Sequence, residues 1–233
     1  MVNNWLNIIQ NSVLPPTCIL CNAYGHRGLD LCIDCYNALP RPKHFCSQCA
    51  APLPEDTSTA SICGHCQTWP PAFDTTVACL SYQHTAQYLI TQLKFNAQYK
   101  HARLLGLLLA ERLSDATTLP QAIIPVPLHP LRFRERQFNQ CIEIGKVVSQ
   151  QLKIPLLLDS CIRLRDTPQQ ANLTRKQRLR NLHQAFALNH SIALEHIALL
   201  DDVMTTGTTL HELAYVLKKN GVSRVDAWVC ARA

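Results

Sequence analysis

The sequence predicts an α/β protein, with a mostly parallel β-sheet flanked by helices and a small cysteine-rich segment ahead of it. Four CxxC pairs occur before residue 67. Beyond residue 73, short apolar strand patterns alternate with helical patterns, which is typical of a parallel sheet. An acidic pair and a Thr/Gly-rich turn also connect a late strand to a helix. We therefore divide the chain into 1–70, with an N-terminal helix and the cysteine pairs, and 71–233, the α/β domain.

Composition restricts the class of protein further. The chain has 233 residues, of which 47% are hydrophobic and only 16% charged, and this excludes a disordered or coiled-coil protein. No apolar run approaches the roughly 18 residues of a membrane helix, so no membrane insertion is expected. The first 16 residues form one apolar helical face without Lys or Arg and without a cleavage site, unlike a signal peptide. We expect a cytoplasmic protein.

The cysteine pairs predict metal binding. A CxxC pair places two thiolates on one edge of a tetrahedron, and a second pair completes a four-thiolate shell for structural Zn²⁺. A disulfide framework and iron–sulfur ligation are the alternatives, although nothing marks the chain for an oxidising compartment. Grouping by nearest sequence gives two sites, and a crossed grouping stays open because the spacer between the second and third pairs also holds 10 residues. The two predicted sets are Cys18, Cys21, Cys32 and Cys35, and Cys46, Cys49, Cys63 and Cys66. The single cysteines Cys79, Cys141, Cys161 and Cys230 are expected to be buried core thiols.

Hydrophobic periodicity predicts the elements of the α/β domain in order. We expect strands at 77–82, 122–127, 156–158, 197–200 and 224–230. Helical spacing covers 84–113, with a break near Asn96, then 138–152 and 208–219. Gly221 fits the stop of the last helix. A long, polar, Arg-rich stretch precedes the strand at 197–200.

The stretch 197–210 carries the most specific chemistry. Asp201 and Asp202 follow four apolar residues, and a turn of Thr205, Thr206, Gly207, Thr208 and Thr209 then opens a helix. Ligands of open α/β sheets bind at the carboxyl ends of strands, and a helix N-terminus attracts anions. The absence of GxxxxGK[ST] excludes a nucleotide-hydrolysing P-loop. A helix cap is the alternative, although one such residue would suffice. Two carboxylates can hold a vicinal diol, directly or through Mg²⁺, so the stretch suits a ribose 5-phosphate.

The positive charge is concentrated in one segment. The chain has a net charge of +6, and residues 130–184 contain 11 basic and 4 acidic residues. This asymmetry favours a local anion site over a generally basic surface. A solvated charged face is the alternative.

Three stretches together resemble known proteins. Residues 197–210 resemble the signature of type I phosphoribosyltransferases. Residues 124–140 (IPVPLHPLRFRERQFNQ) and 163–186 (RLRDTPQQANLTRKQRLRNLHQAF) are similar to the ComF family, whose members carry a cysteine-rich zinc ribbon ahead of a phosphoribosyltransferase domain. The resemblance covers essentially the whole chain. The usual family string is close to RGFNQ, and Gln137 stands here in place of its glycine.

The resemblance implies a site for phosphoribosyl pyrophosphate (PRPP) with Mg²⁺. Asp201 and Asp202 would be the catalytic pair and hold the ribose hydroxyls, and 205–209 would hold the 5-phosphate. Residues 127–130 match the pyrophosphate loop, with Arg132, Arg134 and Arg136 after it, and 165–180 match a hood that closes over PRPP. The cations expected to bind PRPP are Arg132, Arg175 and Arg178.

The resemblance also implies a role in natural competence, with single-stranded DNA and the DNA-uptake machinery as partners. The reaction would be phosphoribosyl transfer to an unidentified acceptor. A PRPP sensor, or a single-stranded DNA-binding protein without turnover, are the alternatives. His129, His183 and His211 have no partner readable from sequence and are expected to be structural.

Overall fold

The structure is a computed structural model that describes residues 16–55, 61–96, 98–165 and 184–233. The expected N-terminal helix (1–16) and the expected hood (165–180) fall almost wholly outside these ranges. The chain divides into two compact units, Met1–Pro40 and Arg41–Ala233. The first unit contains the first two CxxC pairs, and the second contains the other two together with the sheet. The boundary predicted at residue 70 stays a prediction.

Each cysteine-rich part contains one short helix. Helix α1 (Ile33–Asn37) follows Cys32 in the first unit, and α2 (Gly64–Thr68) follows Cys63 in the second. An isolated antiparallel bridge accompanies each, Thr17 with Tyr24 and Phe45 with Pro52. With so little regular structure, each part depends on its cysteines to hold the backbone.

A four-stranded parallel sheet forms the centre of the second unit, in the order β1–β6–β5–β2. In β5, the apolar run 197–200 is almost fully buried, as expected of a strand covered on both faces. Its neighbour β6 is buried along 225–231. The four strands are β1 (Thr75–Ser81), β2 (Ala122–Pro125), β5 (His196–Met204) and β6 (Arg224–Arg232).

Helices cover this sheet. Helices α4 and α6 pack closely, because a Cβ on Gly106 would lie 2.6 Å from the Cβ of Val147. Strand β5 leads through α7 back to β6, and the right-handed crossover rule places α7 on the face opposite α4 and α6. The helices are α3 (His84–Asn96), α4 (Tyr99–Leu113), α5 (Pro130–Arg136), α6 (Gln140–Leu152) and α7 (Thr208–Lys219).

Most predicted elements are present, with three differences. The expected strand at 156–158 is wrong, because 156 makes only an isolated parallel bridge to Ile123 at the edge of the sheet. A two-stranded antiparallel sheet, β3 (Cys161–Arg163) with β4 (Phe186–Leu188), was not predicted. Helix α5 also forms at the start of the positively charged segment 130–184, where no helix was expected.

Candidate functional site

The eight paired cysteines form two clusters. Each contains four sulfur atoms within 4.8 Å of one another, Cys18, Cys21, Cys32 and Cys35 in the first, and Cys46, Cys49, Cys63 and Cys66 in the second. The Sγ atoms of Cys21 and Cys32 are 3.5 Å apart, and those of Cys49 and Cys63 are 3.7 Å apart. A tetrahedron with Zn–S bonds of about 2.3 Å has edges of about 3.8 Å, so the spacing fits zinc. The nearest-sequence grouping is therefore confirmed, and the crossed one is excluded.

The two clusters repeat one local design. In the first pair of each cluster, the amide of the leading cysteine donates to a carbonyl five residues on, Cys18 to Ala23 and Cys46 to Ala51, both at 2.8 Å. The second pair of each cluster begins at the N-cap of a short helix. These turns bring both sulfurs of a pair to one side of the backbone, as a metal knuckle requires.

Backbone hydrogen bonds favour the thiolate form at one position in each cluster. Burial alone would raise the pKa of Cys18, but hydrogen bonds from nearby backbone groups lower it to about 6. The same balance lowers the pKa of Cys46 to about 7, with the amide of Cys63 3.3 Å from its sulfur. Because the thiolate is the form that ligates metal, each cluster offers one cysteine that is favoured as a ligand.

The acidic pair lies inside β5. We expected the strand to end at residue 200, but its pairing with β6 continues to Met204, whereas its pairing with β2 stops at Leu200. Asp201 and Asp202 therefore occupy the part of β5 that extends beyond β2, at the carboxyl edge of the sheet. Asp202 is only 7% exposed.

A lysine from α3 forms an ion pair with one of these two aspartates. Lys94 Nζ lies 2.9 Å from Asp202 Oδ2, and both side chains are largely buried. Burial alone would lower the pKa of Lys94, but the carboxylate of Asp202 outweighs burial and raises it. The ion pair therefore places a cation against one of the two carboxylates.

Asp201 is held differently. Its Oδ1 accepts hydrogen bonds from the amide of Asp202 at 2.8 Å and from the thiol of Cys141 at 3.4 Å. Burial, and then the charge of Asp202, raise its pKa to about 6. Among the described residues, its Oδ2 makes no hydrogen bond, so this oxygen can accept one from a ligand hydroxyl.

The N-terminus of α6 brings Cys141 to the site. Asn139 is the N-cap, its Oδ1 accepting from the amide of Cys141 at 2.9 Å and its Nδ2 donating to the carbonyl of Val126 at 3.0 Å. This buried side chain therefore ties the loop after β2 to the start of α6. Burial and the nearby aspartates raise the pKa of Cys141, which keeps the thiol protonated as a donor.

The Thr/Gly turn connects β5 to α7. Gly207 has a φ of +75° and is the N-cap of this 12-residue helix, with no side-chain cap. The left-handed conformation explains the glycine, and the helix N-terminus follows the carboxyl end of β5, where an anion can bind. The hydroxyls of Thr206 and Thr208 lie 2.8 Å apart. The loop 205–209 therefore lies at the same edge of the sheet as the acidic pair.

The expected pyrophosphate loop, 127–130, follows β2 and ends in α5, where His129 Nδ1 accepts from the amide of Leu131 at 3.3 Å. His129 is therefore a helix cap, and His211 accepts a hydrogen bond from the amide of Ala72. Arg132, Arg134 and Arg136 lie on α5, partly or fully exposed. A 320 Å³ pocket lies between this loop and α6.

Only some of the arginines predicted to bind phosphate lie among the residues that the structure describes. Arg175, Arg178 and Arg180 lie outside them, as does His183. Sequence reasoning missed Lys94 and Cys141 as members of the site. The amphipathic pattern of α3 would have shown an inward lysine, but no sequence signal pairs it with a residue more than 100 positions away.

Comparisons with known proteins identify the family. A family model described as "Double zinc ribbon domain" matches residues 9–67. Competence protein F of Haemophilus influenzae is 34% identical over 225 residues, covering 93% of this chain and 96% of the relative. DNA utilization protein YhgH of Escherichia coli K12 is 35% identical over 227 residues, covering 94% and 98%.

Solved structures of phosphoribosyltransferases are more distant. Adenine phosphoribosyltransferase from Leishmania tarentolae matches with a TM-score of 0.40 and 15% identity, over 64% of this chain and 74% of that one. At this level the likeness carries no argument about activity.

The fold and the site together define a class. The predicted architecture is confirmed as an α/β fold with a parallel sheet flanked by helices, preceded by a double zinc ribbon with two four-cysteine sites. Within that class, the chain belongs to the ComF family, which includes competence protein F and YhgH. Among the described residues, no helix has both the length and the apolarity to cross a membrane.

Proposed function

We propose that this protein binds PRPP at the carboxyl edge of β5 and transfers its phosphoribosyl group to an acceptor. The observation that carries the proposal is the succession of an acidic pair at the end of β5, a glycine in the left-handed conformation and an uncapped helix N-terminus within 201–208. Asp201 Oδ2 is available for a ribose hydroxyl, and the α7 N-terminus favours the dianionic 5-phosphate.

Magnesium fits the same edge. Mg²⁺ prefers carboxylate oxygens together with substrate phosphates, and Asp201 and Asp202 supply the former. Because Lys94 already neutralises Asp202, the free site holds little excess negative charge. The ion is therefore expected to bind together with PRPP rather than ahead of it, where it would neutralise the departing pyrophosphate.

The relatives' names add a cellular role to the proposal. One relative is named for competence and the other for DNA utilization, and we propose that this chain handles single-stranded DNA in the cytoplasm. The observation that favours this role is the cationic helix α5, with Arg132, Arg134 and Arg136 beside the half-exposed Phe133. Arginines in this arrangement can contact backbone phosphates.

The test is calorimetric titration of the zinc-loaded full chain with PRPP, with and without Mg²⁺. The variant Asp201→Asn with Asp202→Asn should lose two charge-assisted hydrogen bonds, each worth about 1.5–3 kcal/mol, and so bind PRPP at least 100-fold more weakly. Asp74→Asn is the matched control, because Asp74 also pairs with a lysine, Lys218 at 2.7 Å, but precedes β1 at the opposite edge of the sheet. Unchanged affinity in the double variant would remove the ribose assignment.

A second measurement separates turnover from binding. Pyrophosphate release is measured in the presence of PRPP with free nucleobases and with single-stranded DNA as acceptors. Release establishes the transferase, whereas PRPP binding without release supports a sensor. If the protein binds DNA but does not bind PRPP, only the DNA-handling role is supported.

A further inference from the structure

Arg232 connects the second cysteine cluster to the candidate phosphate loop. Its Nε donates to the carbonyl of Cys49 at 2.9 Å, and its Nη1 donates to the carbonyls of Met204 at 3.1 Å and Thr205 at 2.5 Å. It also donates to the carbonyl of Ala233. Cys49 is one of the four cysteines of the second cluster, and Thr205 begins the loop. One guanidinium therefore joins two backbone segments that are far apart in sequence.

Residues just before and within β1 also contact the loop, α7 and the second cluster. The buried ring of Phe73 comes within 3.6 Å of the position that a Cβ on Gly207 would occupy. The amide of Ala72 donates to His211 Nδ1 at 3.0 Å, in the second turn of α7. In addition, the buried hydroxyl of Thr76 donates to the carbonyl of Gln48 at 2.7 Å. The cluster, the loop and α7 are thus in contact through several short-range interactions within one compact unit.

From this arrangement we infer that the second four-cysteine site holds the phosphate loop in its binding conformation through Arg232, and that zinc at this cluster and a phosphate ligand at 205–209 stabilise each other. The part that concerns the ligand rests on the proposed function. The physical basis is that four metal–thiolate bonds fix the Cys49 backbone, and the planar fork of arginine transmits that position to the loop carbonyls. Linkage requires the coupling to act equally in both directions.

Two variants break the connection at its two ends. Arg232→Gln removes the guanidinium, and Cys63→Ser removes one thiolate of the second cluster. We expect each to raise the hydrogen-exchange rate of the 204–209 amides and to weaken PRPP binding about 10-fold or more, within the range of ordinary allosteric coupling. The double variant should be little worse than the more affected single variant, because both changes interrupt the same connection. Arg232→Lys keeps the charge but not the fork and should resemble Arg232→Gln.

Matched controls remove the same groups elsewhere. Arg224→Gln changes an arginine at the other end of β6, where it pairs with Asp226 at 3.1 Å. Cys21→Ser removes one thiolate of the first cluster, which belongs to the unit Met1–Pro40. Both controls should keep the parent's exchange rates at 204–209 and the parent's PRPP affinity, with zinc content measured in every variant.

The outcomes are separable from those of the proposed function. If the parent does not bind PRPP, the proposed function fails, and the exchange rates at 204–209 still decide whether the cluster holds the loop. If Arg232→Gln leaves both exchange and affinity at the parent's values, the inference is overturned. It is also overturned if Cys21→Ser loosens 204–209 as much as Cys63→Ser does.

Discussion

Replacing Asp201 with asparagine should stabilise this protein while weakening its ligand binding. Asp201 is a partly buried carboxyl beside a second carboxylate, and burial and this neighbouring charge raise its pKa from 3.8 to about 6. At roughly 1.36 kcal/mol per pKa unit, ionising Asp201 in the folded protein costs about 3 kcal/mol. Asparagine can keep the hydrogen bonds to Oδ1 and never ionises.

The sign of the pH dependence follows from the raised pKa. The folded protein binds this proton more tightly than the unfolded chain does, so the stabilisation is fully present below about pH 3.8 and is lost as the pH rises through about 6. The advantage of Asp201→Asn should therefore be about 3 kcal/mol at pH 8, and about half of that at pH 5. At about 2–4 °C per kcal/mol for a chain of this size, the Tm should rise by about 6–12 °C at pH 8.

Differential scanning calorimetry of zinc-loaded parent and variant at pH 5 and pH 8 measures both values. Asp159→Asn is the control, because Asp159 is exposed and its replacement should leave the Tm nearly unchanged. A Tm difference that does not change with pH, or a variant less stable than the parent at pH 8, would refute the account of Asp201 as an electrostatically strained ligand group. If the Tm rises as expected, Asp201 lowers the stability of the folded protein while serving ligand binding.

Three further predictions test other parts of the molecule. Protein purified without chelator should contain two zinc ions per chain by elemental analysis, and a value well below two would contradict the two-cluster assignment. Gln137 ends α5 with a φ of +63°, a backbone conformation that favours glycine, so Gln137→Gly should raise stability by about 0.5–1 kcal/mol, and an unfolding titration that shows a loss would contradict this. Replacing Arg175, Arg178 and Arg180 with alanine should weaken PRPP retention and reduce the salt slope of single-stranded DNA binding by about two, at about 0.7 per phosphate contact. If the triple variant binds PRPP and DNA as well as the parent does, this segment is a solvated charged face.

Local sequence patterns predicted the long elements well. Helix α7 has the predicted bounds, because its apolar spacing begins after a glycine N-cap and ends just before Gly221. The break between α3 and α4 also occurs where it was expected, near Asn96. The short strands β3 and β4 were missed, because three residues are too few to show an alternation of apolar and polar side chains.

Helix α5 was missed for a different reason. Its seven residues contain three arginines and no buried side chain, so no apolar periodicity marks it. Its start depends on the cap by His129 and on Pro130 at the first position, which are visible in the sequence but not specific. The sequence around 156 contains a short apolar run, yet only one residue of it pairs with the sheet.

The sequence by itself determined the four CxxC pairs and the acidic pair with its loop, because in each case the chemistry is carried by neighbouring residues, whereas the structure decided which pairs share a cluster. A CxxC turn brings two sulfurs together within four residues, and 201–209 place carboxylates, hydroxyls and a glycine in one strand–turn–helix unit. Tertiary structure alone decided which distant groups complete the site. Cys141 reaches Asp201 across 60 positions, and Arg232 reaches Cys49 across 183, contacts made only when β5 and β6 pair in the sheet and α6 packs against it. Such contacts depend on where whole elements pack, and no local spacing records that.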